Sequence, residues 1–328
     1  MKCTNRKHLI LSAALVLMAS LYTACGNAAI RMPFSDFNKS HEDSFSINSY
    51  EELMAEAFAE NIAVEKEDVL DIFSLEDSSA GILVDVKNNS IKYQQNAFDT
   101  MYPASLTKIM TALLVLENSN MDDTVTCTSA VKNIAFSDAV LLNLNPGDTM
   151  TVDQALHLML INSYNDVAIA LACHVAGTEE AFNDLMNKRA LELGATHTHF
   201  KNSHGLPDEE HVTCVHDLYL IFNELIKFDK FKEIIQLHDY TTVYHDVNGN
   251  EIGATANTTN AFFRGIYEKP ENITVIGGKT GTTTDAGYCL MLLSQDKYGD
   301  SYISVILHAD SRDSLYEKMA ELLSQENK

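Results

Sequence analysis

Regular alternation of hydrophobic and polar positions begins near residue 80 of this chain. Gly81–Val86 is followed by the polar turn Lys87–Asn89 and by Ser90–Tyr93, an order typical of a β-hairpin. Three further strand-like runs come late in the chain, at Ile273–Ile276, Tyr288–Leu293 and Tyr302–His308.

The middle of the chain has the spacing of helices. An apolar helix is predicted over Ser105–Leu116, and Thr151 with Gln154 forms a capping box that opens a helix to about Ile161. Other helices are predicted over about Asp166–Ala176, from Thr178 to a stop at Gly194, over 213–226, and after Asp310 or Ser311. Strands at both ends with helices between them predict an α+β fold with a mixed sheet closed by the first and last segments.

The first residues have the layout of a secretory signal peptide, predicted over residues 1–24. A basic start precedes the apolar run Leu9–Leu21, which is shorter than the roughly 20 residues that a membrane span needs. Tyr22–Gly26 resembles the cleavage box of bacterial lipoproteins, in which Cys25 would become a lipidated N-terminus. The leader therefore predicts an extracytoplasmic protein, either simply secreted or anchored through Cys25 to the outer face of the cell membrane.

Composition narrows the functional classes. The chain has 328 residues, 46 of them acidic and 23 basic, which gives a formal charge of −23. Nucleic-acid binding needs clustered Lys and Arg, so we predict no nucleic-acid partner. Residues 25–77 are polar and acidic and are predicted to be a partly helical tether, whereas residues 78–328 form the folded domain. The remaining cysteines are too sparse for a disulfide framework and are predicted to be small buried residues: Cys127, Cys173, Cys214 and Cys289.

Three short strings carry the candidate chemistry. In Ser105-Leu106-Thr107-Lys108 the serine and lysine lie one helical turn apart, so the amine can reach the hydroxyl. A serine hydroxyl needs an adjacent base to become a nucleophile, and a lysine serves as that base when burial or a neighbouring cation lowers its pKa. The helix start also offers N–H groups to a developing oxyanion.

The other two strings supply polar groups to the same predicted cleft. Ser163 and Asn165 lie between two helices, where both side chains can point the same way. Lys279 follows a strand, and with Thr280 it can hold a carboxylate by charge and hydrogen bond. Ser129–Lys132 repeats the Ser-x-x-Lys spacing, and we interpret that copy as a solvated loop.

The three strings in this order, each in its expected context, resemble the serine D-Ala-D-Ala carboxypeptidases, the low-molecular-weight penicillin-binding proteins. Asn202–Pro207 is similar to the Asn-x-His-Gly-Leu segment of that family. Ser163-Tyr164-Asn165 departs from the family pattern at its middle position, where Gly or Ala is more usual than Tyr164. The resemblance implies a β-lactamase/transpeptidase-like fold, with an antiparallel sheet flanked by helices and a mostly helical subdomain. It covers about residues 78–325, and we expect no β-rich domain after it.

The resemblance also implies residue roles. Ser105 would form the acyl-enzyme, Lys108 would accept its proton, and Ser163 with Asn165 would complete the relay. The substrate-binding strand would comprise Lys279, Thr280, Gly281 and Thr282, with the N–H groups of Ser105 and Thr282 as the oxyanion hole. The implied substrate is a peptidoglycan stem peptide ending in D-Ala-D-Ala, and β-lactams would acylate the same serine. No cofactor or metal is implied.

Several alternatives remain open from the sequence. A serine β-lactamase would need an extra general base after the second motif, where Glu209 and Glu210 occur. A D,D-endopeptidase or a low-turnover penicillin-binding sensor would keep the same three strings. Five histidines crowd residues 197–216, but they lack a metal-ligand spacing such as His-Glu-x-x-His, and we predict no metal site there.

Overall fold

The computed structural model describes Ala63, residues 74–137 and residues 139–327. The predicted signal peptide, Cys25 and almost all of the predicted tether lie outside these residues. Ala63 is buried, and its backbone bonds to the side chains of Tyr219 and His216.

A five-stranded antiparallel sheet forms the centre of the described region. Its strands are, in spatial order, β2 (Ser90–Gln95), β1 (Ala80–Asp85), β9 (Ser301–Ala309), β8 (Gly287–Gln295) and β7 (Thr274–Thr283). The first and last of these strands in sequence, β1 and β9, are neighbours in the sheet, with Ile82 paired to Val305. This confirms the predicted hairpin and the antiparallel sheet built from N- and C-terminal strands.

Both faces of this sheet are covered, which explains the nearly continuous apolar character of its strands. Along β8, Met291 and Leu293 pack into the larger core cluster with most of the helices. Leu290 and Leu292 point the other way, into a smaller cluster with the last helix. The alternating side chains of one strand thus divide between two cores.

Seven α-helices occur within the described residues: α1 (Lys108–Asn118), α2 (Val152–Asn162), α3 (Asn165–Ala176), α4 (Glu179–Glu192), α5 (Val215–Leu225), α6 (Asp229–Ile235) and α7 (Arg312–Leu323). The predicted capping box at Thr151 is present, and Ser311 caps α7. One boundary prediction is wrong: α1 begins at Lys108, because Ala104–Thr107 forms a 3-10 turn first. In the described residues every helix falls short of what a membrane span requires.

A second sheet was not predicted from the sequence. It contains β3 (Thr124–Thr126), β4 (Thr149–Thr151), β5 (Asp239–His245) and β6 (Glu251–Asn257). Two of its strands are short, and the longer ones expose apolar residues such as Val243 and Ile252. A strand without a clear apolar face leaves little alternation to detect.

The four cysteines of the described region are buried free thiols, as the sequence predicts. Burial raises the pKa of Cys127 and of Cys289 to about 12, which keeps both thiols protonated and inert at neutral pH.

Candidate active site

Ser105 lies in the 3-10 turn Ala104–Thr107, which precedes α1. Hydrogen bonds and close packing at Ala104 stabilise the conformation of this turn. Ala104 has a φ of +47°, an unusual value for a residue with a Cβ atom. The Thr107 hydroxyl donates a 2.8 Å hydrogen bond to the Ala104 carbonyl oxygen. A Cβ atom on Gly205 would lie 1.9 Å from that same oxygen, so the 205 loop can pack there only as glycine.

His211 extends this support. The backbone N–H of Lys201 donates to His211 Nδ1 at 3.0 Å, so the ring proton lies on Nε2, 2.7 Å from the Thr107 oxygen. Burial lowers the pKa of His211 to about 3, which keeps the ring neutral. A chain of hydrogen bonds therefore runs from His211 through Thr107 to the residue before Ser105.

Lys108 is fully buried and its amine has three polar neighbours. Its Nζ lies 2.6 Å from Asn165 Oδ1, 2.6 Å from the His204 carbonyl oxygen and 3.1 Å from Ser105 Oγ. A neutral amine has two hydrogens and one lone pair. Because the amide and carbonyl oxygens can only accept, they take the two hydrogens, and the lone pair is left for the Ser105 hydroxyl.

The surroundings of Lys108 favour that neutral form. Burial holds its pKa well below the usual value of 10.5, the positive charge of Lys279 lowers it further, and the Asp166 carboxylate opposes the shift. The Asp166 carboxylate accepts hydrogen bonds from the backbone of Leu142 and Leu144. It therefore also fixes the loop beside the second motif.

The second motif joins α2 to α3. Ser163 ends α2 in the left-handed conformation, with φ of +69°, and Asn165 begins α3. This reversal turns the Ser163 hydroxyl toward Lys279 and the Asn165 amide toward Lys108. The Tyr164 hydroxyl points elsewhere, donating to the Thr255 carbonyl at 2.9 Å and tying the turn to the second sheet.

Lys279 projects from β7 on the opposite wall. Its buried Nζ donates to Ser163 Oγ at 2.9 Å and to the Thr280 carbonyl at 2.8 Å. Burial lowers the pKa of Lys279 to about 7. The amine therefore carries its positive charge mainly below about pH 7, and it has fewer fixed acceptors than Lys108.

Gly281 allows β7 to approach the 3-10 turn that contains Ser105. A Cβ atom at this position would lie 3.0 Å from the Ser105 backbone nitrogen and 3.1 Å from the Pro103 carbonyl oxygen. Thr282, the next residue, is exposed at the mouth of the cleft. The glycine therefore brings the backbone of the third motif beside the backbone of Ser105.

These residues surround one cleft of about 200 Å³. Of the sequence-predicted site residues, its lining includes Ser105, Ser163, Thr280, Gly281 and Thr282, and the buried amines of Lys108 and Lys279 reach these hydroxyls from behind. The structure therefore brings all three motifs together. The copy at Ser129–Lys132 is a 3-10 turn outside the cleft, and its serine and lysine are exposed.

Sequence reasoning missed two elements of the site. The His204 carbonyl oxygen, an acceptor for Lys108, comes from the Asn202–Pro207 segment that the sequence had marked only by resemblance. Asn202 Oδ1 shapes this segment by accepting from the N–H groups of His204 and Gly205. The second element is the Thr107–His211 pair, for which the sequence offered no signal beyond two polar residues far apart in the chain.

The structure also bears on two alternatives. Glu209 and Glu210 are exposed, neither lines the cleft, and Glu210 pairs with Lys201 instead. Neither residue is therefore placed to act as the deacylating base of a β-lactamase.

Several side chains of the histidine-rich stretch bond to loop backbone, as His199 does to the Glu210 carbonyl oxygen. His197, Cys214 and Asp217 bring ligand-type atoms within 4.8 Å of one another. The Asp217 carboxylate already accepts from the His197 N–H and the Thr198 hydroxyl.

Comparison with known proteins agrees with this geometry. The sequence model of the D-alanyl-D-alanine carboxypeptidase family matches residues 70–311. D-alanyl-D-alanine carboxypeptidase DacF of Bacillus subtilis is 32% identical over 224 residues, which cover 65% of this chain and 53% of that protein. DacC of Escherichia coli is 33% identical over 257 residues, covering 76% of this chain and 60% of that protein.

Solved structures show the same fold. The Streptomyces K15 DD-transpeptidase superposes with a TM-score of 0.69 at 25% identity, covering 80% of this chain and 99% of that one. Penicillin-binding protein D2 from Listeria monocytogenes, in its cefotaxime-bound form, superposes with a TM-score of 0.65 at 27% identity, covering 78% and 99%.

The fold and the three converging motifs place the chain in the β-lactamase-like fold class. The chain belongs to the D-alanyl-D-alanine carboxypeptidase family. The matched region spans between half and two thirds of the length of the curated relatives described above.

Proposed function

We propose that this chain is a serine D-Ala-D-Ala carboxypeptidase that removes the terminal D-Ala from peptidoglycan stem peptides. The observation that carries the proposal is the buried Lys108 amine, which lies 3.1 Å from Ser105 Oγ and whose pKa burial holds well below its usual value. A base held one turn from a serine at a cleft floor suits nucleophilic acyl transfer.

The reaction proceeds in two steps. Lys108 takes the Ser105 proton, and Ser105 Oγ forms an ester bond to the carbonyl carbon of the penultimate D-Ala. The peptide C–N bond breaks, and the leaving nitrogen takes up the proton that Lys108 accepted. The Ser163 hydroxyl, which lines the same cleft, is the proposed carrier. Water then hydrolyses the ester, which releases the shortened peptide and restores Ser105.

The strand wall binds the other end of the substrate. Lys279 and Thr280 hold the terminal carboxylate by charge and hydrogen bond. The N–H groups of Ser105 and Thr282 stabilise the oxyanion, and the close approach at Gly281 supports this pairing. β-Lactams acylate Ser105 by presenting a similar carboxylate and carbonyl.

The test is D-Ala release from a tripeptide ending in D-Ala-D-Ala. We expect release by the wild type and none by Ser105→Ala. Ser129→Ala is the matched control, because it removes the serine of the other Ser-x-x-Lys copy and leaves the cleft intact. A fluorescent penicillin is expected to label the wild type and Ser129→Ala covalently, but not Ser105→Ala. Equal release by wild type and Ser105→Ala contradicts the proposal, and rapid nitrocefin turnover favours a β-lactamase instead.

We further propose that the protein acts outside the cytoplasm, after secretion directed by residues 1–24. Membrane attachment would come through a lipidated Cys25. Metabolic labelling with a radioactive fatty acid, compared between wild type and Cys25→Ala, distinguishes anchoring from plain secretion.

A further inference from the structure

The oxygen that orients the Lys108 amine is the backbone carbonyl of His204, and its position depends on how the surrounding loop is held. Lys108 and Thr111 lie three residues apart on α1, so their side chains share one face of the helix. Lys108 donates to the His204 carbonyl at 2.6 Å, and the Thr111 hydroxyl donates to the neighbouring Ser203 carbonyl at 2.6 Å. The helix therefore binds two consecutive carbonyl groups of the loop.

Glu179, the first residue of α4, binds the same loop through its donors. The Oε1 atom of Glu179 accepts from the Ser203 backbone N–H at 3.1 Å and from the Ser203 hydroxyl at 2.7 Å. Ser203 is fully buried and directly precedes His204. Because hydrogen bonds to a carboxylate are stronger than those between neutral groups, this contact fixes the residue that carries the His204 peptide.

The imidazole of His204 does not form an ion pair with this carboxylate. Its Nδ1 accepts from the Leu206 N–H at 3.1 Å, so the ring proton lies on Nε2, which is 3.6 Å from Glu179 Oε1. Burial holds the pKa of His204 well below its usual value, which keeps the ring neutral at neutral pH. The hydrogen bonds that Glu179 makes to the loop are therefore the two from Ser203.

The start of α4 is capped by a different residue. Thr178 is the cap, and its hydroxyl accepts from the Ala181 N–H at 3.2 Å. Glu180, next in the chain, is exposed and shares the first turn, where either carboxylate interacts favourably with the helix dipole. What distinguishes Glu179 from Glu180 is thus the pair of hydrogen bonds to Ser203.

We propose that Glu179 is a positioning residue for the Lys108 base. It holds Ser203, and Ser203 carries the next peptide unit, whose carbonyl oxygen orients the amine. The proposal rests on the proposed function and adds to it a residue that touches neither the substrate nor the reacting atoms. Because the effect passes through hydrogen bonds to the loop, it depends on the reach of the side chain and not on its charge.

The test measures acylation by a fluorescent penicillin in a single turnover. This experiment gives the rate constant at saturation, the dissociation constant of the noncovalent complex and the fraction of enzyme labelled. For Glu179→Ala we expect the rate constant to fall about threefold to tenfold with an unchanged dissociation constant, because the base stays in the site and loses part of its orientation. A purely structural role would lower only the labelled fraction. Glu180→Ala is the matched control and should keep the wild-type rate constant.

Two conservative variants separate reach from charge. Glu179→Gln retains an oxygen that can accept from Ser203, so its rate constant should lie within about twofold of the wild type. Glu179→Asp keeps the charge at the helix start but is one methylene shorter, so it should be as slow as Glu179→Ala. Ser203→Ala removes the hydroxyl, and adding it to Glu179→Ala should slow acylation little further, because both substitutions act on one contact.

The outcomes distinguish this inference from the proposed function. A wild-type rate constant in Glu179→Ala or Glu179→Asp overturns the positioning role and leaves the carboxypeptidase standing. So does a Glu179→Gln variant as slow as Glu179→Ala. If Glu179→Ala labels too little enzyme to measure, the comparison of Glu179→Asp with Glu179→Gln decides in the same way. A folded wild type that forms no covalent adduct would remove the proposed function and this inference together.

Discussion

The two walls of the catalytic cleft each present a buried lysine, and the two lysines are held differently. On the helical wall Lys108 is fixed by the Asn165 amide and the His204 carbonyl, with Ser105 as its third neighbour. On the strand wall Lys279 has the Ser163 hydroxyl and the Thr280 carbonyl. Burial lowers the pKa of both.

The difference shows how surroundings divide one side-chain type between two roles. Lys108 has two obligatory acceptors and feels the positive charge of Lys279, so its neutral form and lone pair are favoured. Lys279 has a pKa of about 7 and can gain from an incoming anion. Under the proposed function, Lys108 on the helical wall takes a proton, and Lys279 on the strand wall holds a carboxylate.

The largest effect is expected on the helical wall. Lys108→Met should lower acylation of Ser105 by roughly 10²–10⁴-fold, because no other base contacts the hydroxyl among the described residues. The loss should be similar for D-Ala-D-Ala peptides and for a fluorescent penicillin. Stopped-flow acylation measures it, with circular dichroism to verify folding. Acylation at the wild-type rate would show that the proton goes elsewhere.

The strand wall should respond selectively. For Lys279→Gln we expect a loss of about 10- to 100-fold in kcat/KM on a free-acid substrate, the value of a charged hydrogen bond of about 1.5–3 kcal/mol. A substrate with a C-terminal carboxamide should lose much less. The two substrates compared on both enzymes form a double cycle. Equal losses would mean that Lys279 acts on the chemistry and not on the carboxylate.

The pH dependence of kcat/KM should also distinguish the roles of Lys108 and Lys279. Loss of the Lys279 proton removes a positive charge, so kcat/KM for the free-acid substrate should fall as pH rises through about 7. The carboxamide substrate should lack this alkaline fall. Because the Lys279 charge lowers the pKa of Lys108, Lys279→Gln should move the acid limb to higher pH. An alkaline fall shared by both substrates contradicts the assignment.

The smallest effect on acylation is expected from the Thr107 hydroxyl, which stabilises the turn that contains Ser105. Thr107→Val removes the hydrogen bond to the Ala104 carbonyl and leaves the buried Nε2–H of His211 without its acceptor. We expect a loss of about 1–3 kcal/mol in the free energy of unfolding and a several-fold lower acylation rate. Thr107→Ser retains the hydroxyl and should behave like the wild type. Denaturant unfolding and acylation rates, measured on both variants, check this; a rate unchanged in Thr107→Val would limit the hydroxyl to stability.

The sequence was sufficient for the central sheet, most helices and the convergence of the three motifs. Strong apolar periodicity marked strands such as β8, and a capping box marked the start of α2. The second sheet was not predicted, because β5 and β6 expose apolar residues and lack a consistent inner face.

The acceptor at His204 has a consequence for how this site can change over time. The oxygen that orients the Lys108 amine belongs to the peptide backbone, and every amino acid at position 204 carries the same atom. Point substitutions there can alter the imidazole without deleting the acceptor. Loss of this contact requires the loop itself to shift, through an insertion, a deletion or a replacement of Gly205, where a Cβ atom would collide with the Ala104 carbonyl. A substitution at position 204 therefore cannot remove this acceptor, whereas a substitution of an exposed side chain at the rim removes that side chain's contacts directly.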